Sequence, residues 1–414
     1  MTWQPPARAA WVGNLNALGE NLACGGRSLV SLDADEILDA ATTATGLSDF
    51  GDLWFREPLA VFTRALEDEA RLTLTGRLVA RSEIQRLLES RLRLEDHISR
   101  HPSIERGAVP APLVITGLGR SGTTFLHELL ACDPGTRVPR LWEMMYPVPP
   151  PQAATYESDP RIAAAHREIS IMDEIVPAFP SMQEVAGHLP NECIFLVAHQ
   201  FATDKWIGEY DVPGYLGWIG SNDLVPAYRY HRRILQVLQS HHRADHWTLK
   251  APSYLHLLPT LLEVYPDARI VVTHRDPLRV LGSLTNLMAS LRWMRSDHVD
   301  HAGIVATMAF GFAYQMENLS RMRDEGLLPK DRILDVRYVD LVSDPVATVR
   351  RIYAHFEIEF STAFEAGLGR MLASRPRERR ALHEYSFSDT GLDLAEERAR
   401  HAAYQERYDV PSEV

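Results

Sequence analysis

Residues 113–134, LVITGLGRSGTTFLHELLACDP, hold the side chains with the plainest chemical meaning. Apolar and β-branched residues lead into Gly117-x-x-x-x-Gly122-Thr123-Thr124, and the amphipathic run TTFLHELL leaves it. A strand, a glycine-rich turn and a helix start in that order form an anion cradle. The first N–H groups of a helix have no intrahelical partner and point at whatever oxygens lie before them. A nucleotide triphosphatase loop carries lysine where Thr123 stands, and here the positive charge is Arg120, inside the turn.

Three ligands suit such a loop. Gly117-x-Gly119-x-x-Gly122 matches a dinucleotide fingerprint, which also requires a second strand ending in an acid about 20 residues on. Glu143 falls near that place, but TRVPRLWE contains a proline and no apolar strand. A small-molecule kinase would need the missing lysine and a magnesium-binding aspartate. A phosphosulfate fits better. Its SO₃ group carries less charge than a phosphoryl group, so arginine, lysine and backbone N–H donors suffice without a metal ion.

Three further segments end in matching residues. HWTLK (246–250) ends at Lys250, ARIVVTHR (268–275) at Arg275, and RILDVRY (332–338) at Arg337 and Tyr338. A basic residue ending one strand is ordinarily a solvated edge charge. Four such ends argue for a shared anion site, because parallel sheets bind ligands outside the carboxyl ends of their strands. Lys250 stands out for another reason. Only Lys205, Lys250 and Lys330 are lysine among 43 basic residues, so each lysine calls for its own explanation.

The elements that would position these residues follow from periodicity. Near-continuous apolar strands at 112–117, 246–250, 268–275 and 332–338 alternate with helices at about 122–132, 254–264, 277–292 and 345–356. The expected fold is therefore α/β, with a P-loop-like parallel sheet flanked by helices. Residues 1–108 read as an N-terminal helical region, in SLDADEILDAATTATG, EPLAVFTRALEDEARL and RSEIQRLLESRLRLEDHISRHP. Residues 109–414 read as the α/β domain, with 135–245 a proline- and aromatic-rich acceptor-side insertion, a helical and loop roof over the ligand.

Composition narrows the class. A formal net charge of −12 disfavours nucleic acid as a partner. No apolar run is long enough to span a membrane, and the first residues lack a basic-then-apolar leader pattern. Cys24, Cys132 and Cys193 have no metal-ligand spacing and read as reduced thiols of a cytoplasmic protein.

GLGRSGTTFLHELLACDP, then LWE, then WTLKAPSYLHLLPTLLEVYPDARIVVTHRDPLRVLGSL, then VRYVDLVSDP together resemble the sulfotransferases of the bacterial cytosolic type. More distantly they are similar to tyrosylprotein and carbohydrate sulfotransferases, all users of 3′-phosphoadenosine-5′-phosphosulfate (PAPS). The resemblance implies that Arg120, Ser121, Gly122, Thr123 and Thr124 hold the 5′-phosphosulfate. It implies Arg275 and Ser283 for the 3′-phosphate, Tyr338 as a further cofactor contact, and one of Arg377, Arg379 and Arg380 from a late basic loop. It also places a glutamate near Glu143, expected as the base that takes the acceptor's proton, with burial raising its pKa. His188, Glu184 and Glu192 are the reserve candidates. Lys250, sharing the task with Arg120, would stabilise the leaving phosphate oxygen. His127, His256 and His274 read as packing residues. Where many relatives have L-K-S-P-x-H, this chain has LKAPSY, with Tyr254 at the histidine position.

The expected activity is metal-independent sulfuryl transfer from PAPS to a hydroxyl of a small or lipid-like acceptor. Trp206, Tyr210, Tyr215 and Trp218 are candidates to line the acceptor pocket. A nucleotide-binding protein without turnover is the alternative from a different class.

Overall fold

The structure, a computed structural model, describes residues 3–22, 26–374 and 386–414. Its centre is a five-stranded, wholly parallel sheet. The strands are β1 (Leu113–Gly117), β2 (Thr136–Arg137), β3 (His246–Lys250), β4 (Arg269–His274) and β5 (Ile333–Arg337), in spatial order β2-β3-β1-β4-β5. Four of them lie where apolar runs were expected. β2 was not legible, because two residues at a sheet edge leave no periodic signal.

β1 and β3 are buried along their whole length, as the apolar runs require of strands covered on both faces. Alternation then sorts the side chains. Leu113 and Ile115 pack with Leu126, Leu130, Val336 and Ile352 on one face, while Val114 joins the larger core on the other. That larger core also contains Leu38 and Phe62 from the N-terminal helices and Trp206, Tyr210 and Tyr215 from the roof. The N-terminal helices, the roof and the sheet therefore share one hydrophobic interior.

The N-terminal helices are Ala10–Glu20, Ala34–Thr45, Arg56–Asp68 and Leu74–Arg100. Asp33 caps the second by accepting from Asp35 and Glu36 N–H, and Gly46 ends it at φ +68°. Arg91, fully buried, donates to the carbonyls of Phe50 and Asp52 and to His199 in the roof.

Of the four roof aromatics that the sequence left as either pocket lining or core, three are core. Trp206, Tyr210 and Tyr215 are at most 2% exposed, and Trp206 stacks on Phe62 with centroids 4.0 Å apart. Burying rings of this size contributes more than leaving them at a pocket wall. Trp218 is half-buried, and its indole N–H donates to Glu57 at 2.9 Å.

Candidate active site

The chain leaves β1 toward β2 on one side and leaves β4 toward β5 on the other, so the strand order reverses at the β1/β4 crevice. The glycine loop opens there. Gly117 has φ +141°, and a Cβ on it would lie 2.4 Å from the Thr273 carbonyl of β4. Gly122, at φ +97°, is the N-cap of the helix Thr123–Leu130, and no side chain caps that end. A Cβ on Gly122 would meet the Tyr338 ring at 2.9 Å. Both glycines are thus demanded by close approach as well as by φ.

Around this loop the structure brings together residues from four separate segments. Arg120 takes φ +66°, which turns its side chain outward, and its Nε donates to Ser283 Oγ at 3.2 Å. Its carbonyl accepts from Arg275 at 3.1 Å. The Arg275 guanidinium lies 3.8 Å from the centre of the Tyr338 ring, a stacked cation–π pair. Arg120, Ser283, Arg275 and Tyr338 therefore form one cluster over the helix start. The fork of Arg275 is engaged by Glu413, with Nε and Nη2 donating at 2.8–3.1 Å. Sequence reasoning missed Glu413, because nothing in its neighbourhood signals an anion site.

Two members of the expected set sit elsewhere. Ser121 is fully buried, its hydroxyl donating to Leu118 O at 2.5 Å and paired with Thr273 Oγ1 at 2.6 Å. It fastens the loop to β4 and has no hydroxyl to offer a ligand. Arg337 points away from Tyr338, as adjacent residues leaving a strand do, and pairs with Asp340 and Asp409. Thr123 is buried and Thr124 exposed at the helix start. Arg377, Arg379 and Arg380 lie outside the described residues.

Lys250 ends β3 with its side chain 3% exposed, and its ammonium contacts Glu192 Oε1 at 3.0 Å. The Glu192 loop is built against the strand end. Cys193 N–H donates to Lys250 O at 2.7 Å, and Asn191 Oδ1 accepts from Glu192 N–H at 2.7 Å. Beneath it runs a buried chain from the Cys193 thiol to Tyr254, then to His231 Nε2 at 3.1 Å, and from His231 Nδ1 to Tyr265 at 2.6 Å. Tyr254 is consequently a core strut holding this loop. Burial pushes His231 down to about 3, so it stays neutral. Burial, together with the Lys250 charge, pushes His127 down to about 3 as well. His127 Nε2 lies 3.3 Å from Thr248 O, a packing role like that of His256 and His274.

Asp204, which sequence reasoning did not single out, lies beside this pair and bonds Ser253. Burial first, and then the negative charge of Glu192, push its carboxyl up to about 7.

Glu143, the expected base, lies in a buried ion pair. It is completely buried, pairs with Arg137, and accepts from Arg140 N–H at 3.0 Å and Tyr156 OH at 3.1 Å. Arg137 lies 4.3 Å from the Trp247 ring centre. Trp247 and Lys250 are three residues apart on β3 and face opposite sides of the sheet, so this cluster and the Lys250 ammonium are separated. His188 and Glu184 are exposed, and His188 lies near Glu157 rather than in the crevice.

Comparison with known proteins gives the family. Residues 112–362 match the model of the Sulfotransferase family, which is more than half of the chain. The chain belongs to the sulfotransferase family. The sulfotransferase STF9 from Mycobacterium avium superposes with a TM-score of 0.82 at 29% identity, covering 92% of this chain and 97% of that one. STF1 from Mycobacterium tuberculosis gives 0.79 at 30% identity, covering 90% and 98%. The omega-hydroxy-beta-dihydromenaquinone-9 sulfotransferase Stf3 of Mycobacterium bovis is 26% identical over 293 residues, 66% of this chain and 67% of the relative. This sulfotransferase has, among its described residues, no helix long and apolar enough to cross a membrane.

Proposed function

We propose that this sulfotransferase moves a sulfuryl group from PAPS to the hydroxyl of a small or lipid-like acceptor. The observation that carries the reading is the convergence of Arg120, Ser283, Arg275 and Tyr338 on an uncapped helix start, with the Lys250–Glu192 pair at the next strand end. The residues present fit the donor. Gly117 and Gly122 let the loop close against Thr273 and Tyr338, the helix start it leads into has no side-chain cap, and three positive side chains suit a multiply charged nucleotide.

PAPS supplies a sulfur whose bond to the bridging phosphate oxygen breaks as the acceptor oxygen bonds to it, leaving adenosine 3′,5′-bisphosphate. Arg120 and the N–H groups of Gly122, Thr123 and Thr124 bind the phosphosulfate oxygens. Arg275, with Ser283, takes the 3′-phosphate by its fork. Lys250 meets the charge that develops on the departing phosphate oxygen, where a compact ammonium can approach closely. Glu192 takes the acceptor's proton. It replaces Glu143 in this role because its side chain is 24% exposed beside Lys250, whereas both oxygens of Glu143 are already engaged. The acceptor class follows the relative that is named for an omega-hydroxylated menaquinone.

The test is transfer of labelled sulfate from PAPS to hydroxylated quinones, long-chain alcohols and simple phenols, with and without chelator. Labelled product from at least one acceptor, undiminished by chelator, is expected. An absolute magnesium requirement, or turnover with ATP and none with PAPS, would remove the reading.

A further inference from the structure

The Nε/Nη2 edge of the Arg275 fork, which a 3′-phosphate can take as a bidentate pair, is occupied by the protein itself. Nε and Nη2 both donate to the Glu413 carboxylate, at 2.9 and 2.8 Å to their nearer oxygens. A carboxylate on an arginine fork presents two oxygens in one plane, as a phosphate does. Resting on the reading of Arg275 above, we propose that Glu413 is an affinity-setting residue for the donor, one that competes with the 3′-phosphate for the fork and so lowers the affinity for it.

The surroundings distinguish a competitor from a mere orienting partner. Arg275 is held by two other contacts, the Arg120 carbonyl at 3.1 Å and the face of Tyr338 at 3.8 Å. Its direction therefore does not depend on Glu413. The segment that carries Glu413 is likewise held without its carboxylate. Val410 N–H donates to Gln405 O at 2.9 Å, and Gln405 Nε2 donates to Val410 O at 3.2 Å. Glu413 N–H donates to Asp276 Oδ2 at 2.6 Å, and Arg398 donates to Val414 O at 2.9 Å. Asp276, fully buried, caps the helix Pro277–Trp293 and is also paired with Arg398. The backbone is thus pinned while the side chain, 28% exposed, is free to rotate out.

The consequence is a donor affinity held below what the free fork would give, with AMP unaffected. A nucleotide without a 3′-phosphate leaves Glu413 in place and gains nothing from Arg275. A nucleotide with one brings a doubly charged group that outbids a single carboxylate, at an affinity reduced by the cost of displacing it.

Calorimetric titration of adenosine 3′,5′-bisphosphate and of AMP tests this with Glu413→Gln, Glu413→Asp and Arg275→Ala. Glu413→Gln should tighten the bisphosphate about tenfold or more, the size of one charge-assisted interaction, and leave AMP within about twofold. Glu413→Asp, whose shorter side chain reaches the fork less well, should fall between. In the Arg275→Ala background Glu413→Gln should have no effect on either ligand. Weaker bisphosphate binding in Glu413→Gln would overturn the proposal and make Glu413 an orienting residue. Equal tightening of both nucleotides would overturn it in favour of a general charge effect. The reading of Arg275 fails by a different result: Arg275→Ala weakening bisphosphate and AMP equally.

Discussion

Two of the three lysines are buried against glutamate, and their settings differ in one respect. Lys205 donates to Glu83 and Glu209, each at 2.8 Å, and Glu209 is also held by Arg295 at 3.1 Å. Glu83 comes from the N-terminal helix Leu74–Arg100, so the network joins that region to the roof. Glu83 and Glu209 are 13% and 10% exposed. Lys250 meets one carboxylate, Glu192, which is 24% exposed at the end of β3. A buried pair whose partners are all protein groups is structural. The same pair with one open side has capacity left for a substrate. The chain passes from one cluster to the other in a single step, since Asp204 serves the second and Lys205 the first.

That contrast is broken most sharply at the lysines themselves. Lys205→Ala leaves two buried carboxylates short of a partner and should cost about 3–5 kcal/mol in urea unfolding, while turnover per folded molecule stays near normal. Lys250→Ala should do the reverse, lowering kcat about 10²–10³-fold, since the groups that meet developing charge are worth about 2.7–4 kcal/mol. Its unfolding midpoint should move far less, because water can reach Glu192. A kcat unchanged in Lys250→Ala would end the assignment of the leaving-group role.

The two glutamates sharpen the same line. Glu192→Gln should cut kcat at least about 10²-fold with bisphosphate affinity retained. Glu143→Gln should keep kcat and lose about 3 kcal/mol, because Arg137 is left buried without its counter-ion. Exchange of these two outcomes would restore Glu143 as the base.

The pH dependence of stability reports on Asp204. Its carboxyl is pushed from 3.8 up to about 7 in the folded protein, so between those values the folded state binds a proton that the unfolded state has lost. Its contribution is full below about pH 4, falls as pH rises, and is flat above about pH 7. Asp204→Asn removes this slope. Relative to the wild type it should gain on the order of 2 kcal/mol between pH 5 and pH 7 in urea titrations. A difference that does not change with pH would show that the carboxyl is ionised throughout. Tyr254→Phe is the smallest change. It removes the hydroxyl between Cys193 and His231 and should cost about 1 kcal/mol, with kcat altered only slightly.

Much of this protein is written locally. The apolar runs ending at Gly117, Lys250 and Arg275 specify buried parallel strands, and the glycines at 117 and 122 specify the turn between strand and helix. Parallel order then carries Arg120, Lys250, Arg275 and Tyr338 to one edge of the sheet, which is why a reading of strand ends groups these residues. What lies between strands is less legible. Periodicity cannot tell a ring that lines a pocket from one that fills a core, and Trp206 is buried by Phe62, which lies 144 residues earlier in the chain.

The α/β fold and the placing of basic residues at the strand ends follow from spacing within short segments, so both are legible in the chain alone. Which acids lie beside those residues depends on tertiary contacts. Glu143 and Glu192 look alike as isolated residues, and what separates them is the company each keeps: Arg137 and Tyr156 for one, a lysine with open space for the other. Glu413, on the Arg275 fork, is 138 positions from its partner. A carboxylate's function depends on the charges and exposure around it, and those are set by chain segments that meet only on folding.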